Sequence, residues 1–411
     1  MYREVLYGVA ARVSVPNVNR TALIIGSGIA GLSAALSLSR LGFRVTIAER
    51  HPERRTAGHF IRWMGAGTHA LRRFNLPQLE NRADTAVKHT EINIAERRRF
   101  GVGLHEMPGN PAMVLRGDVE GALYDAVNDS VDIRYGTTVS NITDHGDSVS
   151  AHLVTEAGEE PITVDLLIGA DGVRSQTRRD LFGPDKEFAS ETGHMIGTWF
   201  VRKELSAVPT NEAPVLIEPG RAMWLFKYHN HDPCVLVAYE TDNTAKDRVD
   251  GFQTAFAREF ADAKSGGMVQ ELLRSAETSD RVIFDSATHI NVPHFTNGRV
   301  ALIGDAAWSL TIFSGMGASL ALAAGEYLGA ALLATKGDIP AGLALWERNV
   351  RPFVDFHRMV SWAYLDFFTP GTRPIMRARK RMIRYNTHPL IAPWYRKLKR
   401  VDSRLFEGSL P

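Results

Sequence analysis

The chain has 411 residues, of which 44% are hydrophobic and 23% charged; these are ordinary proportions for a globular enzyme and too much chain for one simple core, so two domains are expected. Its 48 basic and 46 acidic residues leave a net charge of +2, which argues against a nucleic-acid protein. A lone cysteine, Cys234, excludes an intramolecular disulfide scaffold or a dithiol redox centre, and the absence of an uninterrupted apolar run of about 18 residues predicts no transmembrane segment.

The opening MYREVLYGVAARVSVPNVNR lacks a long apolar core and reads as a leader arm rather than a signal peptide, so a cytoplasmic location is expected. Thr21–Ile25 (TALII) has the continuous apolar character of a buried parallel strand. The turn Gly26-Ser27-Gly28-Ile29-Ala30-Gly31 follows, then a helical pattern from Leu32 to Leu41, stopped at Gly42. Arg44–Ala48 is a second strand, and it ends in Glu49, 21 positions beyond Gly28. A G-x-G-x-x-G turn between strand and helix, with an acid at that distance, points to dinucleotide binding: the glycines admit a diphosphate at the helix N-terminus and the acid accepts from a ribose hydroxyl.

Further along, Gly58–Leu76 combines a glycine-rich loop with an amphipathic helix, and His59 and Arg62 are placed to approach a ligand. Val87–Arg99 alternates like a sheet exposed on one side. Met113–Val127 is a strand end followed by a helix, with Arg116 at the junction, either a cation facing a diphosphate or adenosine or a surface arginine at a helix start. Short strands are expected at Val131–Tyr135, Thr138–Ile142, Val149–Val154 and Ile162–Val164, then a buried strand, Asp165–Ala170, running into Asp171-Gly172-Val173-Arg174-Ser175. From Lys186 to Phe284 the pattern turns aromatic and alternating (His194–Arg202, Ala222–Tyr228, Cys234–Tyr239), followed by a helical stretch, Gly251–Ala276. An antiparallel sheet is expected there, with Trp199, Trp224 and Phe226 as candidates to line a flat apolar substrate pocket.

Val300–Ile303 is again an apolar strand. It passes Gly304-Asp305 and enters a small-residue helix at Gly315-Met316-Gly317-Ala318, whose N-terminus suits an anionic group or an electron-rich ring edge. Trp346–Met359 reads as another helix. The tail Arg373–Arg400 carries ten Lys or Arg residues and no acid, and Ile375, Ala378, Met382 and Tyr385 recur at helical spacing. That pattern fits a cationic helix packed across two domains, with contact to an anionic membrane surface or nucleic acid as the alternative.

Three separated stretches, GSGIAG, GADGVRS and GDAAWSLTIFSGMG, occur in one order over about residues 21–350. In this the chain resembles the para-hydroxybenzoate-hydroxylase-like, single-component FAD-dependent monooxygenases, and loosely their tetracycline-inactivating branch. The resemblance implies an α/β fold. A Rossmann-like FAD-binding domain, with a parallel sheet in three layers, spans 21–185 and 285–368. An inserted antiparallel-sheet substrate domain spans 186–284, with contributions from 85–110, and a basic C-terminal helical segment spans 369–411.

By the same resemblance Glu49, with Arg50 beside it, holds the adenosine ribose, and Gly28 and Arg116 the FAD phosphates. Asp305 takes the ribityl chain or a neighbouring phosphate, and the Gly315–Gly317 turn faces the flavin pyrimidine. Asp171, Gly172 and Arg174 match a fingerprint serving both FAD and the nicotinamide cofactor. NADPH or NADH is implied as a transient reductant, since no second nucleotide fingerprint follows a strand. The implied reaction is hydroxylation of a flat aromatic or polycyclic small molecule with O2 through a flavin C4a-hydroperoxide; the alternative is an FAD-dependent dehydrogenase or reductase that inserts no oxygen. His59, His194 and His289 are unranked candidates for a general base, Phe313 lies at the reacting centre, and no metal is expected. The chain departs from the family pattern at Trp308, where His or Tyr is usual, and at Ile312, where a proline is usual.

Overall fold

The structure, a computed structural model, describes residues 19–54, 59–84, 87–92, 98–100, 111–263 and 267–387. Most of the leader arm, Gly58, residues 101–110 and the basic tail beyond 387 lie outside the described residues.

Strand β1 (Thr21–Ile25), helix α1 (Ile29–Arg40) and β2 (Arg44–Ala48) form the first unit. Next come β3 (Phe60–Trp63), α2 (Ala66–Arg73), β4 (Lys88–Ile92) and β5 (Arg98–Phe100). β6 (Ala112–Leu115) runs directly into α3 (Arg116–Val127), followed by β7 (Asp132–Arg134). β8 (Thr138–Asp144), β9 (Val149–Thr155) and β10 (Gly158–Val164) make an antiparallel meander. β11 (Leu166–Gly169) leads to two short helices, α4 (Gln176–Leu181) and α5 (Asp185–Phe188). Four longer strands follow, β12 (Ala189–Phe200), β13 (Glu212–Glu218), β14 (Arg221–Tyr228) and β15 (His231–Glu240). After helices α6 (Thr244–Glu259) and α7 (Met268–Ser275) come β16 (Ile283–Ile290), β17 (Thr296–Asn297) and β18 (Val300–Leu302). The short α8 (Asp305–Trp308) and α9 (Thr311–Ser314) precede the long α10 (Gly317–Ala334), α11 (Ile339–Phe368) and α12 (Arg373–Thr387).

The first sheet has the order β17-β18-β11-β1-β2-β7 and is parallel except at β17. β1 is apolar at successive positions, Ala22 to Ile25, because both faces of the sheet are covered. Ala22 and Ile24 pack toward the layer of α1 and α10, whereas Leu23 packs on Val149, Ala151 and Leu153 of the meander. Three layers result, with the sheet in the middle. α1 and α10 meet along a seam of small residues, where Ser33 and Ser37 donate to the carbonyls of Leu322 and Gly325, each at 2.7 Å.

The second sheet has the order β16-β12-β15-β14-β13-β4-β5 and is antiparallel except where β13 runs with β4. Its side chains alternate between two cores. Met223, Leu225, Val235 and Val237 face α6 and α7, with Phe256 and Phe260. Ala222, Trp224, Phe226, Tyr228 and Cys234 face the other way, toward Phe60, Phe313 and Phe368. Three details differ from the sequence expectation. β13 has no counterpart among the expected strands, because Pro214 interrupts its apolar run. The stretch expected as one helix is two, and α6 begins earlier and kinks at Gly251 (φ 79°). β16 belongs to the second sheet through Ile290, so the expected boundary at 284/285 cuts a strand.

α11 has 30 residues, much longer than Trp346–Met359. Asp338 caps its start, accepting from the Ala341 N–H at 3.0 Å. The helix runs from the core of the first sheet, at Trp346, to the second, at Phe368. α12 does not bury the expected stripe: Ala378 and Tyr385 are exposed, and Arg379 and Ile383 are turned inward. The cause is polar. Arg379 pairs with Glu91 of β4 at 2.6 Å and donates to the Phe367 carbonyl at 2.7 Å, and this sets the rotation of the helix. α10 is long and apolar enough to cross a membrane by length and composition alone, but 72% of its residues are buried against the rest of the protein.

Candidate functional site

β1, β11 and β18 are neighbours in one parallel sheet, so the turns that follow them gather at one edge, where open α/β sheets bind ligands. These turns are the three glycine-bearing stretches. Between them and the aromatic face of the second sheet lies a cavity of about 470 Å³. One wall contains Gly28, Ile29, Ala30, Arg116, Gly172, Gly304, Asp305, Gly315, Gly317 and Ala318; the other contains Phe60, Ile196, Phe226, Tyr228, Leu236, Phe313 and Phe368.

The nucleotide wall is polar where a phosphate would need it. Gly28 precedes α1 as its N-cap, leaving the first N–H groups of that helix directed at the cavity. Arg116 lies across from it, 3.8 Å from the position of a Gly28 Cβ, and is held by Glu120 at 2.6 Å. Asp305 opens α8 and faces into the cavity. Its side chain is accessible to solvent there, yet protein crowds it on every other side. That surrounding protein raises its pKa above the ordinary carboxylate range, with Arg116 opposing. Glu49 is 5% exposed and sits in a cleft beside Gly28, accepting from the Ser27 N–H (2.9 Å), the Ser27 hydroxyl (2.8 Å) and the His51 N–H (2.9 Å). The same cleft contains Tyr124 with the Arg54 guanidinium 4.0 Å from its ring centroid.

Several expected cofactor residues stand elsewhere. The Asp171 carboxylate turns back on its own chain, accepting from the Ser175 hydroxyl (2.5 Å), the Thr177 N–H (3.0 Å) and the Thr177 hydroxyl (3.1 Å). It shapes the turn, and Gly172 beside it lines the cavity. Arg174 reaches the second sheet and pairs with Asp285 at 2.5 Å, at the cavity rim. Arg50 is exposed and borders neither the cavity nor the cleft; Arg54 has the place expected of it. Gly26 and Gly31 shape the first turn from behind the lining residues, and the Met316 side chain is in the core.

On the substrate side the period-2 alternation of β12 decides the outcome. Ile196 and Thr198 face the cavity, so Trp199 points the opposite way, into the helix-covered core, where its indole N–H donates to Ser275 at 2.9 Å. Trp224 is on the correct face but is covered by Phe368, with ring centroids 5.2 Å apart, and only Phe226 reaches the lining. Arg62 reaches the cavity, but at its cofactor end: its Nη2 donates to the Ser314 carbonyl at 2.5 Å. Trp308 turns away from the site and packs on Phe295 and Trp346, with centroids at 4.7 and 6.0 Å. Ile312 and Phe313 both line the cavity.

The three histidines separate. His59 borders the cavity, and burial, with Arg116 and Arg281 nearby, lowers its pKa to about 4. Its Nδ1 is buried with no hydrogen-bond partner among the described residues. His194 stands behind Phe313, with ring centroids 6.1 Å apart and its Nδ1 against the Thr192 carbonyl at 2.8 Å. His289 stacks on Trp362 at 4.6 Å and is lowered to about 4 by burial, away from the lining.

One supporting residue carried no sequence signal. Arg178 is fully buried; it donates to the carbonyls of Ala306 (2.9 Å) and Val173 (2.8 Å) and pairs with Asp185 at 2.6 Å. It ties the second fingerprint to the third. Cys234, whose thiol burial pushes up to about 11, is an inert lining residue.

The donor set fits a dinucleotide along its length: an acid in the cleft, helix N–H groups and a guanidinium opposite Gly28, a carboxyl at Asp305, and a second helix N-terminus at Gly317. Residues 19–343 match the model of the FAD binding domain family. An FAD-dependent monooxygenase of Sarocladium schorii is 28% identical over 73% of this chain and 72% of its own. A 3-hydroxybenzoate 6-hydroxylase of Polaromonas naphthalenivorans is 26% identical over 80% and 82%. Among solved structures, tetracycline destructase Tet(55) superposes with a TM-score of 0.72 over 91% of this chain and 98% of that one, at 20% identity, a likeness of fold.

Proposed function

The chain belongs to the FAD binding domain family and is an FAD-dependent enzyme of the monooxygenase class; from that premise we propose that it hydroxylates a flat aromatic or polycyclic small molecule with NAD(P)H and O2. The observation that carries this is the two-sided cavity, with nucleotide-binding turns on one wall and an apolar aromatic sheet face on the other. Bound FAD supplies the electron transfer and oxygen activation.

The chain's own residues bind, orient and shield. Arg116 and the N-terminus of α1 hold the diphosphate, Glu49 and its cleft the adenosine ribose, and Asp305 the ribityl chain or adjoining phosphate. The turn at Gly315–Gly317 presents the N-terminus of α10 to the ring, where its partial positive charge favours negative charge. Phe60 and Tyr228 stack with centroids 3.4 Å apart. Together with Phe226, Phe313 and Phe368 they form an apolar wall that orients a planar substrate and excludes water. His59, neutral above its depressed pKa, borders the cavity as an uncharged polar group.

The test is in two stages. The purified protein is expected to show a flavin absorption spectrum and to release FAD on denaturation. With a panel of phenols and polycyclic aromatics, it is then expected to oxidise NADPH or NADH and to yield a product heavier by one oxygen atom. Oxidised or reduced product without added oxygen would move the assignment to a non-oxygenating FAD oxidoreductase, and hydrogen peroxide alone would remove the hydroxylase reading.

A further inference from the structure

Arg62 is 7% exposed, yet it lines the cavity. β3 pairs with β6 in a two-stranded ribbon, Arg62 opposite Met113, and this ribbon carries the guanidinium to the underside of the third fingerprint. Its Cζ lies 5.9 Å from the Tyr364 ring centroid. The guanidinium occupies the space any side chain at Gly315 would need: a Cβ there would lie 2.6 Å from Nε and 3.0 Å from Cζ. Gly315 also has φ 62°, a left-handed conformation. The left-handed backbone calls for glycine at 315, and the missing Cβ leaves the guanidinium room to lie against the turn.

Two residues on, the 18-residue α10 begins. Its N-terminus carries about half a positive charge, and the guanidinium adds a full one beside it. Burial lowers the Arg62 pKa, but a guanidinium remains protonated at any physiological pH. Asp305 lies on the other side of the same helix start, its Oδ1 4.0 Å from the position of a Gly317 Cβ. The wall is thus polarised, positive at Gly315 and acidic at Asp305.

We propose that Arg62, resting on the FAD reading above, is a redox-tuning residue: its charge stabilises the reduced, anionic flavin ring seated against Gly315–Gly317 and so raises the cofactor's reduction potential. Hydride transfer from NAD(P)H delivers two electrons and one proton to the ring, leaving NAD(P)+ and a reduced flavin with one more negative charge than the oxidised form. A fixed cation in a low-dielectric wall favours that form selectively. In this role Arg62 acts on the cofactor ring and not on a substrate.

The experiment measures the flavin midpoint potential by equilibration with redox dyes, and oxidised-FAD affinity by fluorescence, for the wild type, Arg62→Gln and Arg62→Lys. The Gln variant is expected to bind reduced FAD at least tenfold more weakly relative to oxidised FAD, a fall of about 30 mV for a two-electron couple. The Lys variant is expected to fall between Gln and wild type. A Gln variant with bound FAD and an unchanged potential overturns the proposal, and so does weakened binding of an aromatic ligand at unchanged potential. If the Gln variant holds no FAD, an unchanged potential in the Lys variant assigns Arg62 to support of the turn alone and overturns it; a lowered one supports it. A wild type without flavin, even after incubation with FAD, is a different result and refutes the FAD reading itself.

Discussion

Asp305 touches solvent only inside the cavity, and the surrounding protein raises its pKa while Arg116 pulls it down. A carboxyl in that position contributes when a hydroxyl-rich or phosphate-bearing ligand replaces the water around it. Asp305→Ala is expected to weaken FAD binding at least about tenfold, or about 1.4 kcal/mol, read by absorbance titration of the apoprotein, with the thermal midpoint of the ligand-free protein little changed. His289 gives a separate, pH-dependent prediction. It is 2% exposed and its folded pKa is about 4, below the usual imidazole value. As the pH falls through the window between those values, the unfolded chain takes up a proton that the folded chain refuses. Stability is therefore lost on acidification, by about 2 kcal/mol between pH 7 and pH 5 from this residue. Urea unfolding at the two pH values should show a smaller loss in His289→Gln than in the wild type; an equal loss would mean that the ring protonates freely in the folded protein.

At the scale of elements, the seam between α1 and α10 positions the site, because α1 starts at the first fingerprint and α10 ends the third. Their approach depends on small residues. A Cβ on Gly325 would lie 2.3 Å from Ser33 Oγ and 2.8 Å from the Ala34 nitrogen, a contact with backbone that no rotamer relieves. Gly325→Ala is expected to push the helices apart, costing about 1–3 kcal/mol, seen as a lower denaturation midpoint. It should also weaken FAD affinity, since both helix N-termini move. A change in stability with unchanged FAD affinity would show that the two turns are held independently of the seam. The strand elements teach a related lesson. Trp199 and Phe226 look equivalent as aromatics in strands, but the alternation of β12 and β14 puts one in a helix-covered core and the other in the cavity wall.

At the scale of the whole molecule, the C-terminal helices join the two sheets. α11 spans from one core to the other, and α12 is locked to β4 by the Arg379–Glu91 pair, whose side chains are 3% and 8% exposed. Removing one partner leaves a buried charge without its counter-ion, which typically costs about 3–5 kcal/mol. Glu91→Gln is therefore expected to lower the unfolding midpoint markedly and to increase protease cutting within α12 before the sheets unfold. Loss of stability without early cutting at α12 would show that the helix is held by its apolar contacts instead. The Arg174–Asp285 pair crosses between the same two parts at the cavity rim, but it is half exposed, and a pair in water contributes little.

The local chemistry was legible in the sequence. A strand–glycine turn–helix with an acid on the next strand is a short-range pattern, and the three fingerprints, Asp305 and the start of α10 at Gly317 follow from residue order alone. The alternating aromatic stretch likewise announced an antiparallel sheet. Side-chain direction was decided by tertiary structure. Asp171 is occupied by its own turn, Trp308 by a core of two other aromatics, and Arg379 by a carboxylate 288 positions away. Nor does any spacing predict that Arg178 would be buried between two fingerprints, or that Arg62 would lie under Gly315, because both contacts join stretches more than a hundred residues apart. Sequence periodicity determines which faces an element has. What each face meets depends on the packing of distant elements, and at this site that packing separates the cofactor wall from the substrate wall.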